Sequence, residues 1–167
     1  PRLGHSVATA QIVIGEIGLG RNSTISTLLH DVVRMRMLSP EEAGRMFGDA
    51  CVGILGGLCN ISDVDPKISS EQADNFRELI VSYSTDPRVI LIKLADRLEV
   101  MRSLSMFPPD KQKKKSWESL NLYAQIAHKL GLYTLKSELE DIALSFLEPE
   151  DYNYIHTRLE ETARERN

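Results

Sequence analysis

Apolar positions recur at helical spacing along nearly the whole chain, and the segments between them carry the punctuation of helix ends. The first segment, "HSVATAQIVIGEIG", stops at Gly18 and Gly20, both effective C-terminal breakers. "NSTISTLLHDVVRM" opens on Asn22 and Ser23, either of which can cap a helix through its side-chain oxygen. "SPEEAGRMFG" carries a capping box, with Ser39 as N-cap, Pro40 at the first helical position and Glu42 three residues after the cap. "DACVGILGGL" is interrupted by glycines and predicts only a short helix. A loop, "CNISDVDPKIS", and a helix capped near Ser69 or Ser70 follow.

"DPRVILIKLADRLEVMRSL" offers two readings. Residues 89–92 are all apolar and look like a strand, yet Asp86-Pro87 is a helix start and the apolar recurrence continues through Leu94, Leu98 and Met101. One long helix accounts for both. "PPDKQKKK" breaks it. A further long helix is expected from about residue 110 to Leu130, ending at Gly131, and another over "YTLKSELEDIALSFL". Pro149 separates a last one, "EDYNYIHTRLEETARER". With no internal repeat and no β-hairpin signal, the fold class is all-α.

Composition narrows this picture only slightly. The 167 residues suffice for one domain with a core, and 42% hydrophobic with 26% charged residues is ordinary for a soluble globular protein. No apolar run approaches the roughly 20 residues of a membrane helix, and no signal peptide precedes the first element, so a cytoplasmic, membrane-free setting is expected. The chain opens on "PRLGHS" without Met, which suggests a piece of a longer protein or a disordered start. Cys51 and Cys59 are expected as unpaired thiols in packing, too few for a Cys-based zinc site. The formal charge is −4, but residues 138–167 alone carry nine acids against three bases. The remainder is slightly positive, which argues against a nucleic-acid surface and leaves room for a local cationic pocket.

The candidate chemistry lies in polar residues set among apolar ones. His30 and Asp31 are adjacent on a helix and point about 100° apart, with Arg34 one turn beyond Asp31 on the same side. Asp96 stands among Leu91, Ile92, Leu94 and Leu98. A buried carboxylate needs a cation, a donor or a metal. Spacing alone leaves two answers open: ion pairs, Asp31 with Arg34 and Asp96 with Lys93 or Arg97, or metal ligation. His128, near a helix C-terminus, and His156, on a charged helix, read as structural or solvated.

Taken together, the segments resemble a known family. "GHS", "LLHDVV", "FG" at 47–48, "NFR" at 75–77, "RVILIKLADRL", "MRSL", "YAQIAHKLGLYTLKSELED" and "LEP" follow one another in the order found in the hydrolase domain of the RelA/SpoT family, enzymes that make and destroy the alarmone (p)ppGpp. The resemblance covers almost the whole chain, and "IKLADRL" and "AHKLG" with "ELED" are its most specific blocks. It implies an all-helical HD-superfamily domain over residues 1–167, part of a GTP pyrophosphokinase-type protein with a synthetase domain downstream. It further implies removal of the 3′-pyrophosphate of (p)ppGpp, with Mn²⁺ held by a His, a His-Asp pair and a distant Asp. These fall on His5, His30, Asp31 and Asp96. Such a mixed N/O set suits Mn²⁺ or Fe²⁺.

The chain also departs from the family. The usual His-Asp-x-x-Glu-Asp, whose acidic pair assists the attacking water, ends here in Arg34 and Met35. The pattern Asp-Arg-Leu-His-Asn-Met-Arg-Thr reads "DRLEVMRS", so Val100 replaces Asn and Ser103 replaces Thr at positions the resemblance assigns to the substrate pocket. Ser6 stands where Pro usually follows the first His, and Arg2 where a Tyr is common. Lys113, in "DKQKKK", is a candidate for gripping a diphosphate. Loss of general-base assistance costs roughly 10²–10⁴-fold in rate. Arg34 can pair with the carboxylate that the metal needs, or grip a phosphate. The expectation is a hydrolase fold with hydrolysis weak or absent. The alternatives are an active (p)ppGpp hydrolase, a purely regulatory domain governing a linked synthetase, and an HD-type phosphohydrolase for another nucleotide.

Overall fold

The computed structural model describes residues 3–62, 86–147 and 164. Every regular element among them is helical: α1 (Leu3–Ile12), a π-helical turn (Val13–Ile17), α2 (Arg21–Arg34), α3 (Pro40–Phe47), α4 (Asp49–Ser62), α5 (Pro87–Arg102), a 3₁₀ turn (Leu104–Met106), α6 (Pro109–Glu118), a second π-helical turn (Ser119–Tyr123), α7 (Ala124–Lys129) and α8 (Tyr133–Leu147). The expected helix near Ser69 or Ser70, the last helix with His156, the "NFR" block and Arg2 lie outside the described residues. No helix among those described is long and apolar enough to cross a membrane.

The chain forms two compact units, Pro1–Glu99 and Val100–Asn167. In the first, α2, α3 and α4 pack around Val33, Ala43, Cys51 and Leu55, with Ile25, Leu29, Leu38 and Phe47 against them. Ser39 caps α3 as expected, its Oγ accepting from the Glu42 amide at 3.1 Å. Two local expectations are corrected. α2 takes Gly20 as its N-cap and holds Asn22 and Ser23 inside its first turn, with no side-chain cap. Gly20 is extended there, and its carbonyl accepts the first helical bond from Thr24 at 3.1 Å. α4 runs four turns, through "CNIS", where only a short helix and a loop were expected. One of its glycines serves close approach: a Cβ on Gly57 would stand 2.7 Å from a methyl of Val89. Burial against α5 thus outweighs the roughly 1 kcal/mol per glycine that propensity holds against the helix.

α5 is one continuous helix, not a strand. Pro87 opens it, and the Asp86 carboxylate accepts from the Arg88 amide at 3.0 Å. Ile90, Leu94, Leu98 and Met101 are essentially fully buried. In the second unit the long helix appears as α6, the π turn and α7, and α8 folds back along it after Gly131, whose φ of 76° ends the helix in the left-handed region. Arg102 grips Glu138 of the "ELED" block through two parallel contacts, at 2.5 and 2.9 Å, so that glutamate is engaged within this chain. Gln112 donates to the Phe107 and Leu104 carbonyls at 2.9 and 3.2 Å, which stitches the start of α6 to the 3₁₀ turn. Cys51 and Cys59 are thiols not joined in a disulfide.

Candidate functional site

The polar residues of the first unit gather from three helices. On α5 the buried ridge of Leu94, Ala95 and Leu98 fixes how the helix sits, and this turns Lys93, Asp96 and Glu99 along a neighbouring face. His5, on the first turns of α1, reaches that face. Its Nε2 meets Oδ1 of Asp96, and its Nδ1 meets Oε2 of Glu99. Lys93 Nζ lies 3.5 Å from the other oxygen of Asp96. Sequence reasoning had no place for Glu99. The available signal was its position, one turn after Asp96 and so on the same face, where the family pattern has His.

The charges in this cluster shift one another. Acceptance by Asp96 is the largest influence on His5 and raises its pKa; burial opposes this, and Glu99 adds to it. For Asp96 burial alone would raise the pKa, but Lys93 and His5 overcome it and hold the carboxyl far below the usual range. His30 goes the other way. Burial lowers its pKa, Lys93 lowers it further and Arg34 adds a smaller push, while Asp96 and Asp31 resist.

In the metal-free chain, site-resolved NMR titration is expected to show His5 changing charge above 6.5 and His30 below it. Stability contributed by His5 is full below pH 6.5 and is lost as pH rises through its raised value. That of His30 is full above 6.5 and is lost as pH falls through its lowered value. Asp96 contributes above its unfolded 3.8 and loses that contribution in acid. Titration of both rings together at the ordinary value would rule out this charge arrangement.

Asp31 is buried and faces Arg34, with Nη2 of the guanidinium 3.3 Å from Oδ1. The ion pair expected from i,i+3 spacing is therefore present. Arg34 is also the last residue of α2, where a cation suits the helix dipole. The helix closes immediately afterwards: Met35 is its C-cap, Arg36 takes a left-handed φ of 60°, and the amides of Arg36 and Met37 bond back to Val33 and Val32, both at 3.0 Å. Met35 is half exposed.

Of the four residues matched to the family's metal set, His5 and Asp96 meet directly, Asp31 is turned to Arg34, and His30 lies within electrostatic range of Asp31 and Asp96. Among the described residues no three His, Cys, Asp or Glu side chains stand together as a metal-holding group. The donor types, two imidazoles and two carboxylates, still fit a borderline-to-hard divalent ion, and His5 Nε2 and Asp96 Oδ1 stand side by side. The other candidates belong to the second unit. Ser103 Oγ donates to the Val100 carbonyl at 3.3 Å, Val100 is buried, and Lys113 is exposed on α6. His128 lies in the last turn of α7, its ring edge-on to Tyr133 at 5.4 Å.

The family model described as "HD domain" matches residues 1–133. The chain is 36% identical over 164 residues to the guanosine-3′,5′-bis(diphosphate) 3′-pyrophosphohydrolase of Aquifex aeolicus (strain VF5), covering 98% of this chain and 23% of that protein. It is 34% identical over 170 residues to the GTP pyrophosphokinase of Myxococcus xanthus, covering 99% and 22%. It is 35% identical over 156 residues to the bifunctional (p)ppGpp synthase/hydrolase SpoT of Escherichia coli (strain K12), covering 93% and 22%. The chain thus spans less than a quarter of the length of these curated relatives. It belongs to the HD-domain family and is homologous to the hydrolase-type HD domain of the RelA/SpoT proteins.

Proposed function

We propose that this domain is a (p)ppGpp 3′-pyrophosphohydrolase scaffold that binds the guanine alarmone but hydrolyses it weakly or not at all. One observation carries this reading: the Arg34 guanidinium is paired at 3.3 Å with Asp31, on the helix turn where the family's acidic pair would stand. Two effects follow. No carboxylate remains at positions 34 and 35 to take a proton from an attacking water or hold it in line. And Asp31, half of the His-Asp pair, has a fixed cation as its partner.

His5, His30, Asp31 and Asp96 are the residues that would hold Mn²⁺ in this reading. Bound there, the ion would acidify a water and polarise the attacked phosphoryl group. The chain's own residues then do the following. Asp96 and His5 present their donors to one point from α5 and α1. His30, kept neutral by burial, offers an uncharged ring. Lys93 and Arg34 supply positive charge for a diphosphate. Arg34 favours binding of the anionic substrate while withholding the base, so binding and turnover separate.

The test is Mn²⁺-dependent release of pyrophosphate from ppGpp beside direct measurement of ppGpp binding. Binding without turnover, or with turnover depressed by roughly 10²-fold or more relative to a RelA/SpoT hydrolase, is the expected result. Turnover near that of the relatives overturns the loss of catalysis. Absence of ppGpp binding overturns the scaffold reading in favour of a domain that only regulates a linked synthetase. Preference for another nucleotide in a substrate panel overturns the alarmone assignment.

A further inference from the structure

We infer that Glu99 is a positioning residue for His5, holding the ring by its Nδ1 so that Nε2 faces the point it shares with Asp96. This rests on the proposed metal reading of His5 and Asp96 and adds a residue that the family's ligand set does not contain. The geometry is direct. Nδ1 of His5 meets the Glu99 carboxylate while Nε2 meets Asp96, so the two ring nitrogens have different partners on one helix face. Asp96 and Glu99 stand one turn apart on α5, whose buried ridge of Leu94, Leu98 and Met101 sets their direction. A histidine that ligates an ion through one nitrogen commonly donates its other N–H to a carboxylate, which fixes the tautomer and strengthens the ligand. Glu99 completes that arrangement here. His in the same place, as in the family pattern, has no carboxylate to offer, so this chain orients its first histidine by its own means.

Two measurements test the assignment. In the metal-free chain the His5 Nδ1 proton is expected as a downfield, slowly exchanging NMR signal. It should persist in Glu99→Gln, whose amide oxygen still accepts, and vanish in Glu99→Ala with far-UV circular dichroism unchanged. Mn²⁺ affinity is expected to fall about 10–100-fold in Glu99→Ala and to recover in large part in Glu99→Gln. An Nδ1 signal that survives Glu99→Ala, or a Glu99→Ala chain that binds Mn²⁺ as tightly as the parent, overturns the inference. If Glu99→Ala does not fold, Glu99→Gln against the parent decides: a lost Nδ1 signal in the folded Gln variant overturns it as well. A parent chain that shows the Nδ1 signal but binds no Mn²⁺ overturns the metal reading, leaving Glu99 as a structural partner only.

Discussion

Replacing Arg34 by Glu together with Met35 by Asp is expected to raise Mn²⁺-dependent pyrophosphate release from ppGpp by roughly 10²–10⁴-fold, the range that a positioned general base contributes. Both halves of the change matter. Arg34→Glu removes the cation paired with Asp31 at 3.3 Å, which returns that carboxylate to the His-Asp pair. Met35→Asp supplies the second acid, at a half-exposed position that accepts a charge without burying it. The structural cost falls on the metal-free chain: the Arg34 side chain is 44% exposed, but that of Asp31 is only 8% exposed, so the double change leaves a buried carboxylate without this cation and with an acidic neighbour, while an acid in the last turn of α2 adds about 0.3–1 kcal/mol against the helix dipole. The gain should appear in kcat, with ppGpp affinity unchanged or weaker. A double variant that stays folded and metal-loaded yet no faster than the parent would show that the pocket was remodelled beyond these two positions.

Leu98→Ala should lower the stability of the chain by about 2–5 kcal/mol, a large share of the roughly 5–15 kcal/mol typical of a folded domain. Leu98 is 1% exposed and lies between Asp96 and Glu99 on α5. Its truncation leaves a cavity under the ridge that aims both carboxylates, so the His5 contacts should loosen along with the fold. Met106→Ala, at an 85% exposed position, should stay within about 0.5 kcal/mol. Denaturant midpoints followed by circular dichroism compare the two. Equal midpoints for both variants would contradict the burial assigned to α5.

Much of the helical layout was legible because its causes are local. Pro87 after Asp86 starts a helix whatever lies around it, and the Ser39 cap depends on atoms three residues apart. The Asp31–Arg34 and Lys93–Asp96 pairs follow from i,i+3 geometry alone. Where expectation failed, a distant partner decided. Gly57 of α4 read as an interruption until Val89, packed against it, shows why a side chain there would collide. Asn22 and Ser23 were plausible caps, but the backbone of Gly20 already supplies the start of α2.

The site divides in the same way. The order of residues along the chain determined that it is helical, that two carboxylates lie in apolar surroundings, and that a guanidinium stands one turn from Asp31. Family resemblance named His5 as a candidate, but neither it nor spacing could say what the ring touches. Only the tertiary structure brought α1 against α5 and set Asp96 on one nitrogen of His5 and Glu99 on the other, across more than ninety residues of sequence. The physical reason is that packing, not local geometry, fixes contacts of this range: the ridge of Leu94, Leu98 and Met101 must bury itself, and the polar face beside it is carried to wherever that burial leaves it.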